Sequence, residues 1–183
     1  MSHDTTRRVA LIGNNFQITT FAHLPVEHQL AVAWYMAVDN DAWSDTFGAT
    51  QNKPEFDRRD PASMAEFATH LPQFIKNHGT VPFGLNTITA QQAKQSLQHD
   101  AEALGVRLSF AEIHAEYLRN GDFPTYSDDK RWPVILGNGA SATFQDGYER
   151  LHSYLRDGHE TIPMVFFPDR KHLQLLVRES LPA

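Results

Sequence analysis

The alternation of apolar and polar positions predicts a chain of mixed helices and strands. Residues 8–12 and 16–21 are β-branched and aromatic runs separated by a Gly-Asn-Asn turn, which is typical of a β-hairpin. After Pro25, apolar residues recur at helical spacing over residues 26–38, beginning with Val26, which predicts a helix with one apolar face. These elements together predict a small N-terminal layer.

Three further helical segments are predicted in the middle of the chain. Asp60 stands before a proline and marks a helix start, and Pro72 within the following apolar pattern predicts either a kink in this helix or its division into two. Residues 80–88 have the pattern of an extended segment. Thr89 and Ser109 then stand where the N-caps of two more helices are expected.

The most informative region, residues 132–168, has the pattern of one supersecondary unit. The apolar run 133–136 ends at a Gly-Asn-Gly turn, which indicates a short buried strand. Asp146 suits the N-cap of a helix that Gly158 ends. The β-branched and aromatic run 161–167 predicts a strand buried on both faces. The predicted order is strand, glycine loop, helix, strand.

The start of this helix is a candidate anion site, because a helix N-terminus presents unsatisfied N–H groups and a positive dipole end. Gly147 lets a phosphate approach the backbone, and Arg150 can bind the same oxygens with two N–H groups. Asp146 and Glu149 add carboxylates that can hold a divalent cation or act as a base. The same pattern also has a structural interpretation, with Asp146 and Glu149 as capping residues and Arg150 as a solvated side chain.

Further candidates flank the helix start. The loop before it offers hydrogen-bond donors and glycines that permit close approach, either as a phosphate pocket or as a plain turn. Its candidate residues are Asn138, Gly139, Ser141 and Thr143. The basic pair Lys130-Arg131 beside Trp132 is a candidate contact to nucleic acid. His152 and His159 lie near the site as either proton carriers or structural residues.

Composition narrows the class of protein. The 183 residues carry a net charge of −6, which argues against nucleic-acid binding through a broad basic face. Acidic residues concentrate in the first third, including the turn-rich segment 40–59, which we interpret as a loop with a helical turn around Trp43. The absence of cysteine excludes disulfides and thiol chemistry. No apolar run reaches the roughly 20 residues that span a bilayer, so we expect a cytoplasmic protein without a membrane span.

The run DGYERLHSYLRDGHETIPMVFF resembles the D-G-x-H-R-L…G…I-P-V segment of the ParB/sulfiredoxin superfamily, in which the helix start binds a nucleotide phosphate. Glu149 stands where the family usually has histidine, and the lack of cysteine excludes the cysteine chemistry of sulfiredoxin. In length and in its DGYER variant, the chain looks most like plasmid fertility-inhibition proteins of the Osa type. The matching residues are Asp146, Gly147, Arg150, Leu151, Gly158, Ile162 and Pro163.

The resemblance implies an α/β (α+β) fold with a mixed sheet and helices. The core is expected over residues 80–183, preceded by an N-terminal hairpin and helical extension over residues 1–79. It also implies ATP or a related nucleotide with Mg²⁺ as ligands. Oligomeric state is left open by the sequence.

For function, the resemblance implies a phosphohydrolase, an ATPase and also a DNase, that blocks conjugal or T-DNA transfer. Glu149, Arg150 and Asp146 would be catalytic, with Asp146 also binding Mg²⁺, while Gly147 and Tyr148 would bind phosphate. The alternative is a non-catalytic, nucleotide-responsive module that inhibits a protein or a DNA-transfer nucleoprotein complex.

Overall fold

The computed structural model has a mixed α/β fold in which a five-stranded sheet lies between two helical layers. It describes residues 17–39, 43–47, 54–103, 105–120, 132–137 and 143–167. The strands are β1 (Gln17–Thr20), β2 (Pro82–Thr89), β3 (Val134–Gly137), β4 (Thr143–Asp146) and β5 (Thr161–Phe167). The α-helices are α1 (Val26–Trp34), α2 (Trp43–Phe47), α3 (Pro61–Ala68), α4 (Leu71–His78), α5 (Ala90–Ala103), α6 (Phe110–Asn120) and α7 (Tyr148–Arg156). A 3-10 turn (Phe21–His23) precedes α1, and a π-helix (Tyr35–Asp39) continues it.

The strand order in the sheet is β1-β2-β5-β3-β4. Strands β3 and β5 are parallel, with Val134 opposite Met164, and the other neighbouring strands are antiparallel. The described N-terminal strand β1 pairs with β2, so the N-terminal layer shares the sheet with the predicted core. None of the helices in this part of the chain is both long and apolar enough to cross a membrane.

Each face of the sheet packs against its own hydrophobic cluster. On one face, Phe83, Ile135 and Val165 pack with the aromatic side chains of α1 to α4. On the other face, Ile162 and Met164 of β5 pack with residues of α5 and α7. The prediction that β5 is buried on both faces is therefore confirmed, because the side chains of a strand alternate between the two sides.

The helix starts predicted at Asp60 and Thr89 are confirmed by their capping contacts. Asp60 accepts a hydrogen bond from the backbone N–H of Ala62 at 3.0 Å. Thr89 and Gln92 exchange hydrogen bonds between side chain and backbone at 2.9 and 3.1 Å, which is a capping box that begins α5. The apolar segment around Pro72 is divided into two helices. Helix α3 ends at Ala68, and α4 begins at Leu71, one residue before Pro72.

Three predictions differ from the structure or lie outside it. The unit of residues 132–168 contains an additional strand, β4, which pairs with β3, so the order strand, loop, helix, strand was wrong. Val26 is 53% exposed and does not belong to the buried face of α1. The first strand and turn of the expected hairpin, residues 8–15, lie outside the described residues, so only its second strand can be compared.

Candidate functional site

The turn between β4 and α7 differs in detail from its prediction. Asp146 is the last residue of β4, where it lies opposite Ile135, and it is not the N-cap of α7. Gly147 is the N-cap, with a φ of 99°. Positive φ values are accessible to glycine without steric cost, so Gly147 lets the chain leave the strand and enter the helix within one residue. Glu149 consequently lies in the first turn of α7 and does not form a capping box with Asp146.

Gly147 is packed against β3. A Cβ atom on Gly147 would lie 3.3 Å from the Cα atom of Val134 and 3.5 Å from the Cζ atom of Arg150. The glycine is therefore required by its surroundings as well as by its φ angle. A side chain here would require the start of α7 or the backbone of β3 to shift by a few tenths of an ångström.

The guanidinium of Arg150 ties α7 to the segment before β3. The residue is 2% exposed, its Nη1 donates to the carbonyl oxygen of Pro133 at 2.6 Å, and its Nη2 donates to the carboxylate of Asp146. The hydroxyl of Tyr154 adds a hydrogen bond to the carbonyl oxygen of Trp132 at 3.0 Å. Arg150 is thus a buried, ion-paired residue and not the solvated one of the structural interpretation.

A cavity of about 370 Å³ opens at the start of α7. Three separate stretches line it, namely the α7 start, α6 and the segment before α3. The lining of the cavity includes guanidinium groups, phenols and a helix N-terminus. These groups suit an anionic ligand such as a phosphate ester. The size is that of a small-molecule site. Among the described residues, the lining consists of Arg58, Tyr117, Asp146, Gly147, Tyr148, Glu149 and Arg150.

Asp39, at the end of the π-helix, is electrostatically coupled to this cavity. Burial raises the pKa of Asp39, and the negative charge of Asp146 raises it further, whereas the positive charge of Arg58 lowers it. The indole Nε1 of Trp34 donates to Asp39 Oδ1 at 3.2 Å. The N-terminal segment thus brings a third carboxyl group close to the site.

Tyr117 supplies a phenol to the same wall. Burial raises the pKa of Tyr117, and the negative charges of Glu149 and Glu116 raise it further. The hydroxyl is therefore protonated at neutral pH and can donate a hydrogen bond to an anion. Tyr117 and Glu149 lie on different helices, so their proximity depends on the packing of α6 against α7.

The ring of Tyr117 packs in a stack of aromatic side chains. The ring centroids of Tyr117 and His152 are 4.2 Å apart, and Phe110 and His114 complete the stack. The Nδ1 atoms of His114 and His152 are 2.7 Å apart, so one ring donates a hydrogen bond to the other. Burial lowers the pKa of His152 to about 4. The pair is neutral at neutral pH, and the structural interpretation of His152 is the one that fits.

The other predicted residues have different outcomes. Asn138, Gly139, Ser141, Lys130 and Arg131 lie outside the described residues. Thr143 is the first residue of β4. His159 packs edge-on against Tyr154, with ring centroids 5.1 Å apart, and is not among the described residues that line the cavity.

The Mg²⁺ ion expected on Asp146 stays a prediction, because the described residues supply no further ligand group for it. The carboxylate of Asp146 already accepts the guanidinium of Arg150, which competes with a cation for the same oxygen. Within the described ranges, no three histidine, aspartate or glutamate side chains gather in a group that could hold a metal.

Arg58, Tyr117 and Asp39 were missed by the sequence reasoning. Arg58 lies in the acidic segment interpreted as a loop, and no local pattern connects it to a helix that begins at Tyr148. A larger cavity of about 570 Å³ lies along α5 and α6, lined in the described chain mainly by the polar side chains Gln91, Lys94, Gln95, Gln98, His99 and Glu102. Those residues are typical of a solvated helix face, and the described lining has no arginine pair, so we place the candidate site at the start of α7.

Comparison with known proteins gives no relative to set beside this geometry. No family model matches the chain, and no curated protein and no solved structure matches it either.

Proposed function

We propose that the protein binds ATP or a related nucleotide by its phosphates at the start of α7 and hydrolyses it, as a phosphohydrolase of the ParB/sulfiredoxin type. The observation that carries the proposal is the meeting of Arg58 and Arg150 with the Gly147 turn in one cavity of about 370 Å³. The guanidinium of Arg58 beside a helix N-terminus suits a phosphate chain, and Arg150 adds positive charge while it holds the turn in place. The sequence resemblance supports the same ligand.

The proposed reaction uses the residues of the cavity wall. A water molecule attacks the terminal phosphorus, Glu149 accepts a proton from that water, and the bond to the leaving nucleoside diphosphate breaks. Arg58 and the phenol of Tyr117 offset the negative charge that develops on the phosphoryl oxygens. Mg²⁺ would enter already bound to the nucleotide phosphates, and no step is assigned to an ion on Asp146.

The experiment combines thermal melting with a phosphate-release assay. We expect Mg²⁺-ATP to raise the melting temperature of the wild type, and Glu149→Ala to keep this stabilisation while losing roughly 100-fold or more in turnover. Glu66→Ala, an exposed glutamate on α3, is the matched control and should retain full turnover. Unchanged phosphate release by purified Glu149→Ala would contradict the role of Glu149.

A second candidate function is a non-catalytic, nucleotide-responsive binding module. The observation that favours it is the ion pair between Arg150 and Asp146, because two of the three residues expected to be catalytic hold the start of α7 in place. Stabilisation by Mg²⁺-ATP without phosphate release would support this module. Such a protein would inhibit a protein or nucleoprotein partner by contact.

We also propose, on the resemblance alone, that the protein acts as a plasmid fertility-inhibition factor that blocks conjugal or T-DNA transfer. DNA cleavage and DNA contact through Lys130 and Arg131 belong to this proposal. Expression beside a transfer-competent plasmid should lower the frequency of conjugal transfer. A Glu149→Ala protein that blocks transfer as well as the wild type would favour inhibition by binding.

A further inference from the structure

Two adjacent tryptophans each have an arginine against their ring. The ring centroids of Trp34 and Trp132 are 6.3 Å apart. The Cζ atom of Arg58 is 5.8 Å from the Trp34 centroid, and that of Arg150 is 5.5 Å from the Trp132 centroid. Both arginines line the cavity at the start of α7. The tryptophan pair thus brings together two cations that are far apart in the sequence.

The two arginines differ in how their guanidinium N–H groups are engaged within the protein. Arg150 is 2% exposed and donates to the carbonyl of Pro133 and to the carboxylate of Asp146. A ligand that recruited those N–H groups would leave a buried carbonyl and a carboxylate without their donor, which is costly. Arg150 therefore serves mainly to fix the turn.

Arg58 is only partly buried, and its guanidinium lies against the face of the Trp34 ring. A cation–π contact orients a guanidinium without consuming its N–H donors, so the planar fork can still bind two oxygens of a phosphate. The segment before α3 therefore contributes the cation best suited to a ligand.

The net charge of the cavity lining also indicates that Arg58 matters for binding an anion. Its charged lining in the described chain comprises Arg58, Arg150, Asp146 and Glu149, which sum to zero. Without Arg58 the sum would be −1, and an anion would meet net repulsion. Asp39 adds a further carboxyl nearby, joined to the same indole that Arg58 covers.

We propose that Arg58 is the specificity-determining residue that selects a phosphorylated ligand in this cavity, and that Asp39 is a built-in counter-charge that opposes the binding of that ligand. The inference rests on the proposed nucleotide site and adds two residues from the N-terminal layer to it. Phosphate recognition then requires both the start of α7 and the segment before α3.

The test compares binding of ATP and of adenosine to the wild type and four variants by isothermal titration calorimetry. We expect Arg58→Gln to weaken ATP binding by about tenfold or more, the effect of losing a charge-assisted pair of hydrogen bonds, and to leave adenosine binding unchanged. Asp39→Asn keeps an oxygen that accepts the Trp34 hydrogen bond but loses the charge, and should tighten ATP binding by about fivefold.

Arg59→Gln is the matched control, because it removes the same charge from the next, exposed residue, which is not among the described lining residues. Equal ATP affinity of the Arg58→Gln and Arg59→Gln proteins would overturn the inference while leaving the proposed function intact. A wild type that binds no ATP would overturn the proposed function itself. Partial recovery of affinity by Arg58→Lys would show that the loss is due to the cation and not to misfolding.

Discussion

Acidification should destabilise the protein through His152. The ring is fully buried, and burial, followed by the neighbouring His114, lowers its pKa from 6.5 to about 4. Between these two pH values the unfolded chain binds a proton that the folded protein excludes. The contribution of His152 to stability is therefore complete above pH 6.5 and is lost as the pH falls through this window.

The linkage relation gives the size of the effect. With a pKa of 6.5 in the unfolded chain and about 4 in the folded protein, the free energy of unfolding falls by about 2 kcal/mol between pH 7.5 and pH 5. His114 is partly exposed, so solvent screens the pair, and we expect about 1 to 2 kcal/mol from His152 in practice.

The assay is urea denaturation followed by tryptophan fluorescence, since Trp34, Trp43 and Trp132 are all buried. The variant is His152→Asn, whose amide can replace Nδ1 in the hydrogen bond to His114 but does not titrate. Burial also lowers the pKa of other histidines, so both proteins should lose stability, and His152→Asn should lose about 1 to 2 kcal/mol less. Equal losses in the two proteins would refute the reasoning.

Two further predictions concern the start of α7. Gly147→Ala should cost about 1 to 3 kcal/mol of unfolding free energy in urea denaturation, because it combines a positive φ with contact against Val134. Gly158→Ala also has a positive φ but meets no atom within 4 Å, and a cost equal to that of Gly147→Ala would show that the Val134 contact is unimportant. Arg150→Met should cost about 2 to 4 kcal/mol by the same measurement, since it leaves a carboxylate and a buried carbonyl without their donor. The exposed ion pair of Arg156 makes Arg156→Met the control, with an expected cost of about 0 to 1 kcal/mol, and similar losses in both would contradict the structural role of Arg150.

Local signals were enough to predict most of the elements. Asp60, Thr89 and Gly158 affect the backbone only within one helical turn of their own positions. Each marks a helix end as expected. Strand β4 was missed because its sequence, TFQD, is short and mostly polar, which is common at a sheet edge. Asp146 was misplaced because pairing with β3 extends the strand up to the glycine, and pairing with another strand leaves no mark in a local pattern.

Only one part of the cavity lining could be predicted, because tertiary packing leaves no local pattern in the sequence. The wall formed by the α7 start follows from the run DGYER, which has a recognisable local pattern. The wall formed by Arg58 and Tyr117 results from the packing of other elements against α7. Side chains that meet through tertiary packing have no fixed spacing in the sequence, so neither residue could be selected from the other arginines and tyrosines.

The position of β5 in the sheet has a consequence for folding during synthesis. The last described strand to leave the ribosome lies between β2 and β3, so the pairs β1-β2 and β3-β4 stay separate until it is made. A nascent chain that stops before residue 161 would expose two unprotected backbone edges, which are templates for association with other chains. Expression of a fragment that ends before β5 should therefore give insoluble material.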